Sequence, residues 1–312
     1  MNRHAIAKFR ALWFGGLGLV CGLWTMPLCA ETDNSGSVTV TAQREMEQLR
    51  NEVDSFVSSA ITRPYGDDSL VRWDHPVCPL VAGMSRQAGE FFLTRLSQIA
   101  RDAKVPLGSE TCKPNLFVIV AKNPEKFLRL WWHHNPRLFN TRFGVAPVKR
   151  FIEYPRPVRV WYNAAAIGGD NGVVFNDLFT GLLGMSMAPG VGMVDYPVFT
   201  GPSILGSRIT YTVVRNITSA IVVVDPAQVG QLSIGQLVDY VGLVGMAEIN
   251  LDKDLGAAPT ILKVFTASEV APPQEMTAWD RAMLQSLYTT PQRNRMQLSQ
   301  MQTATLKLIA AR

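Results

Sequence analysis

Histidine and cysteine are the scarce residues of this chain, four of each in 312. No His-Glu-x-x-His occurs, which excludes the usual helix-borne zinc site with its i, i+4 ligands. His133 and His134 are adjacent and would diverge by about 100° on a helix, so they cannot chelate one ion well. His75 precedes Pro76, and nothing near it in the sequence completes a site. A serine hydrolase would need one of these histidines, and Gly184-Met185-Ser186-Met187-Ala188 lacks the strand-before, helix-after context of a nucleophile elbow. Long hydrophobic runs are also missing. The apolar stretch near the start, Ala11 to Trp24, carries no charge but is too short for a comfortable membrane span. Neither sign of charge dominates, with 30 Lys and Arg against 25 Asp and Glu. The basic residues form no dense footprint of the kind nucleic acid requires.

What is present begins with a tripartite N-terminus. Arg3, Lys8 and Arg10 precede the uncharged stretch, and Pro27-Leu28-Cys29-Ala30 offers a small residue before Glu31. This is the pattern of a secretory signal peptide over residues 1–30, with cleavage near Ala30; an uncleaved anchor is the alternative. Removing those three basic residues leaves 27 against 25, so most of the formal +5 belongs to the leader. Cys21 and Cys29 leave with it. The remaining pair, Cys78 and Cys112, is expected to form a disulfide in an oxidising compartment, periplasmic or extracellular, the alternative being two free thiols.

Periodicity divides the rest. Residues 31–64 read as a short strand at Val38–Thr41 and a helix with Met46, Leu49, Val53 and Phe56 at helical spacing. A single domain is expected over 65–290. Its strands are Val71–Trp73, Asn115–Ala121, Pro157–Tyr162, Arg208–Arg215 and Ala220–Val224, the last two broken around Asn216. Its helices are Ser85–Ala103 with Phe91, Leu93, Leu96 and Ile99 inward, Pro124–His133, Ser233–Ile249 and Thr277–Tyr288. Residues 167–207 hold nine glycines and no basic residue, a long irregular loop that is either functional or a variable surface insertion. Asn216-Ile217-Thr218 matches a glycosylation acceptor. Asp252-Lys253-Asp254-Leu255-Gly256 fails as a calcium loop, because Lys263 stands where a bidentate Glu belongs, and reads as an acidic turn. Residues 291–312 form a basic helix with Leu298, Met301, Thr305 and Leu308 on one face. Alternating strands and helices give an α/β or α+β class, a mixed sheet packed against helices with a C-terminal helix.

From Ala220 onward the chain resembles the C-terminal half of a metzincin, the matrixin-like branch of zinc peptidases. Ala220–Val224 would be the strand, Ser233–Ile249 the active-site helix, and Pro259–Phe265 the methionine turn with Leu262 in place of its methionine. Met276-Thr277-Ala278-Trp279-Asp280-Arg281-Ala282-Met283-Leu284-Gln285-Ser286-Leu287-Tyr288 is similar to the family's final helix. With the family's glycine at Gly242, Gly235, Asp239 and Gly245 fall at its three histidines and Gln236 at its catalytic glutamate. The chain also resembles secreted proteobacterial proteins without an assigned activity, through Arg72-Trp73, Pro76-Val77-Cys78-Pro79-Leu80, Cys112-Lys113-Pro114-Asn115 and Gln236-Leu237-Val238-Asp239-Tyr240.

The metzincin resemblance implies a zincin-like fold without zinc ligands, without the catalytic base and with no cofactor. The expected function is an exported non-catalytic binder of a protein, peptide or envelope partner, with Gln236, Asp239, Tyr240 and Glu248 in the degenerate cleft. Two alternatives stand beside it. One is a hydrolase or peptidase in which Asp239, Glu248 and His75 or His133 converge only in three dimensions. The other is an envelope structural protein associating peripherally through its basic C-terminal helix.

Overall fold

A computed structural model describes residues 35–62, 69–139, 144–168, 173–175, 213–266 and 271–311. Residues 1–34, which include the expected signal peptide, and most of the glycine-rich segment lie outside the described residues. Two units divide the chain, Met1–Gln43 and Arg44–Arg312, and of the first only the opening turns of a helix are described. The described helices are α1 (Ser35–Ala60), α2 (Arg86–Asp102), α3 (Pro124–His134), α4 (Ala146–Glu153), α5 (Pro226–Val229), α6 (Ile234–Met246), α7 (Ala278–Thr289) and α8 (Gln297–Ala310). The strands are β1 (Pro79–Ala82), β2 (Leu116–Val120), β3 (Val158–Gly168), β4 (Val173–Phe175) and β5 (Val213–Val224).

They form one mixed sheet in the order β1-β2-β5-β3-β4. β1, β2 and β5 are parallel, whereas β3 runs antiparallel to β5 and to β4. The protein is therefore of mixed α/β class. β5 lies inside the sheet, and its run Ala220-Ile221-Val222-Val223-Val224 is buried throughout. Alternation sends Ala220, Val222 and Val224 to one core and Ile221 and Val223 to a second. The larger core also takes apolar residues of α2, α6, α7, α8 and α1 from Val53 onward. The smaller is an aromatic cluster in which Trp131 and Trp132 of α3, Phe139, Phe151 of α4 and Trp161 of β3 surround Leu128 and Ile152.

Local signals explain several boundaries. Ser85, Asn123, Ser233 and Thr277 cap α2, α3, α6 and α7 by accepting backbone N–H bonds. The β1–α2 turn passes through Gly83 at φ +86°, where a Cβ would lie 2.0 Å from the Val120 carbonyl oxygen, so only glycine fits. Cys78 and Cys112 are joined by a disulfide with Cα atoms 6.0 Å apart, stapling the chain on either side of α2 as expected.

Other expectations need correction. Val38–Thr41 belongs to α1, since the helix-forming segment that follows outweighs the few tenths of a kcal/mol by which each β-branched residue disfavours a helix. On α2 the inward residues are Phe92, Leu96, Ile99 and Ala100, and Phe91 is exposed, because the buried stripe follows i, i+4, i+7, i+8 from Phe92. Val71–Trp73 contributes isolated bridges at Arg72 to Asn216 and Ala247. β5 runs unbroken through Asn216, whose amide is 2% exposed and held by Asp74 and Gln292, closing it as a glycosylation acceptor. Val173–Phe175, within the expected glycine-rich loop, is strand β4.

Candidate functional site

The helix expected to carry the site, α6, is a core element secured at both ends. At its start Ser233 and Gln236 form a capping box, and the Gln236 amide donates to the Pro273 carbonyl at 2.9 Å. One turn on, the Asp239 carboxylate is wholly buried. It accepts from Nε and Nη2 of Arg95 at 2.5 and 2.6 Å and from the Met276 backbone at 2.6 Å. That pairing raises the Arg95 pKa above its ordinary value. Farther along the same helix, a Cβ on Gly242 would meet Ile99 at 2.7 Å, which explains how closely α6 and α2 pack.

At the C-terminus of α6 three aromatic donors satisfy carbonyls that no longer have a helical partner. Tyr162 donates to Val244 at 2.7 Å, the Trp73 indole to Gly245 at 2.9 Å and Tyr288 to Met246 at 2.5 Å. Burial pushes the pKa of both tyrosines up, so they remain protonated donors. Glu248 follows immediately. Burial raises its carboxyl to about 7, opposed by the Arg215 guanidinium.

The four candidate residues therefore occupy different surroundings. Gln236 and Asp239 both tie α6 to the Pro273–Met276 segment. Tyr240 packs edge-on against Phe265 at 4.9 Å and borders a cavity, whereas Glu248 lies beyond the other end of the helix. His75 pairs with Asp74 at 3.1 Å, and His133 contacts His134. Among the described residues no group of three or more His, Cys, Asp or Glu is placed to hold a metal ion.

An open groove lies elsewhere, along β3. Two cavities of about 570 and 330 Å³ share Tyr154, Arg156, Asn250, Leu251 and Asp252. Val158 borders the larger, and Val160, Trp161 and Tyr162 the smaller. β3 pairs with β5 over its whole length, but β4 covers only Ala166–Gly168 on the opposite edge. Among the described residues no segment pairs with the outer edge of Val158–Tyr162.

The ladder also fixes which groups face outward. The Asp225 N–H donates to the Pro157 carbonyl at 2.9 Å, so 157 and 225 are a hydrogen-bonded antiparallel pair. Alternation then directs the backbone groups of Arg159 and Trp161 toward β5, and those of Val158, Val160 and Tyr162 toward the groove.

The groove has a surplus of cations. Arg150, Arg156, Arg159, Lys253 and Lys263 line it against Asp252 and Asp254. Arg156 and Arg150 both reach Asp252, the latter at 3.4 Å. Sequence reading passed over this cluster because its members are separated by about a hundred residues. The available signal was Arg150 with Tyr154-Pro155-Arg156-Pro157, two arginines and two prolines placed just before an alternating strand. No family model matches the chain, and no curated protein or solved structure matches it either.

Proposed function

We propose that this is an exported, non-catalytic, zincin-like protein that receives an extended peptide as an added strand on β3. The carrying observation is the run of outward N–H and C=O groups on Val158, Val160 and Tyr162, which no described segment pairs and which borders a groove. Such an edge is a template for β-augmentation: backbone hydrogen bonds supply affinity, and the groove walls select side chains. The zincin-like part of the reading is supported by the succession of β5, α6, the 3-10 turn Ile261–Phe265 and α7, with antiparallel β3 beside β5. Closure of the α6 face by Arg95 and Ile99 leaves no open cleft at the aligned positions, which favours binding on β3 over catalysis at α6. Export is supported by the disulfide, which suits an oxidising compartment, and by the form of the N-terminal segment. No described helix is long and apolar enough to cross a membrane.

The test uses fluorescein-labelled peptides of alternating Thr and Val flanked by Glu, N-methylated at every second residue in one phase or the other. Fluorescence anisotropy should show binding of the unmethylated peptide. One phase should lower affinity at least about tenfold and the other should leave it nearly unchanged. Equal behaviour of the two phases would rule out strand addition.

A further inference from the structure

The side chains at one end of the groove specify what the added strand must carry, an inference that rests on β3 being the receiving edge. Arg150 and Arg156 hold their guanidinium carbons 5.8 and 5.0 Å from the centroid of one ring, Tyr154. Both turn to a single carboxylate, Asp252, whose side chain is 56% exposed. A third guanidinium lines the same cavity. Arg159 is 5% exposed, donates through Nη1 to the Ile152 carbonyl at 2.7 Å, and has no hydrogen-bond partner at Nε. Arg150 and Arg156 thus share one chain carboxylate beside Arg159, whose charged neighbours are Glu125 and Asp225, although guanidinium groups are built to take carboxylates in pairs of bonds.

We propose that this arginine clamp reads a carboxylate on the incoming peptide, and that Asp252 is an internal stand-in which that carboxylate displaces. The Tyr154 ring orients Arg150 and Arg156 by cation–π contact, so the receptor is formed before the ligand arrives. The Asp252 end of these ion pairs is in solvent, so its exchange for a ligand carboxylate costs little. Arg156 directly precedes Pro157 at the start of β3, so the recognised carboxylate lies at the end of the added strand. It comes from an acidic side chain there, the source to be separated from a free chain terminus.

Four labelled peptides test this: an alternating Thr-Val centre flanked at both ends by Glu or by Gln, each with an amidated or a free C-terminus. Asp252→Asn should bind the amidated Glu peptide roughly fivefold tighter than the unaltered protein does, with no change for the amidated Gln peptide. Arg156→Gln should abolish the preference for Glu. A gain confined to free C-termini would overturn the side-chain assignment. Equal binding of Glu and Gln peptides would overturn the clamp while leaving strand addition standing, because the N-methylation phases measure that separately. Failure of every peptide to bind would remove both.

Discussion

Arg95–Asp239 and Arg156–Asp252 are the same two residue types in ionic contact, yet only the first carboxylate is withdrawn from water. Asp239 is 0% exposed and its partner 29%, whereas Asp252 is 56% exposed. Burial removes alternatives: with no water to replace Arg95, Asp239 must keep its guanidinium and the Met276 N–H, and so it fixes α2, α6 and the chain entering α7. Asp252 can exchange its arginines for solvent or for another carboxylate at little cost. Identical chemistry thus gives a structural lock in one place and an exchangeable contact in the other.

The largest effect should come from breaking the lock. Arg95→Ala leaves a carboxylate buried with only a backbone partner and should lower stability by about 3–5 kcal/mol in denaturant unfolding. Combining Arg95→Met with Asp239→Leu should cost clearly less than the two single changes summed, because neither charge is then stranded. Additive losses would show that the pair acts as two independent contacts. The covalent tie that flanks α2 should be of similar size. Removing the Cys78–Cys112 bridge opens a loop of 34 residues and should cost roughly 3–4 kcal/mol, with β1 the strand most affected.

Glu248 is intermediate between the two pairs, partly withdrawn from water and without the direct ionic contact that Asp239 has. Its carboxyl is raised from 4.5 to about 7, so the folded state binds the proton more tightly than the unfolded chain does. Its contribution is therefore fully favourable below pH 4.5 and declines as pH rises to about 7, by up to about 3 kcal/mol in total. Glu248→Gln cannot ionise. It should match the parent near pH 4 and exceed it in stability by about 1–3 kcal/mol at pH 8, as read from unfolding curves at both pH values. A constant difference across that range would mean that Glu248 is already paired with Arg215 strongly enough to behave like Asp239.

The same contrast separates what the sequence made legible from what it hid. The capped helices α2, α3, α6 and α7, the β2 run and the disulfide follow from spacing, cap residues and cysteine parity, all of which are local or countable. Val38–Thr41 misled because local β-propensity is weak beside the helix that continues from it. On α6 the strongly apolar run and the metzincin resemblance marked an important helix, but sequence could not distinguish a cleft-facing Asp239 from one sealed against Arg95, 144 residues earlier. The groove was hidden for the same reason. Arg156 and Asp252 are 96 residues apart, and an unpaired strand edge has no composition of its own.

The smallest expected effect tests the exposed pair directly. Asp252→Asn removes the carboxylate that Arg150 and Arg156 share, and Arg156→Gln removes the closer of its partners. If exposure leaves the pair exchangeable, each change should shift unfolding free energy by less than about 1 kcal/mol, and 0.5 M salt should erase most of that shift. The contrast with Arg95→Ala would then be severalfold for the same type of ion pair. A loss at Asp252 as large as that at Arg95, unaffected by salt, would make Asp252 a second lock. It could not then yield its arginines to an incoming peptide.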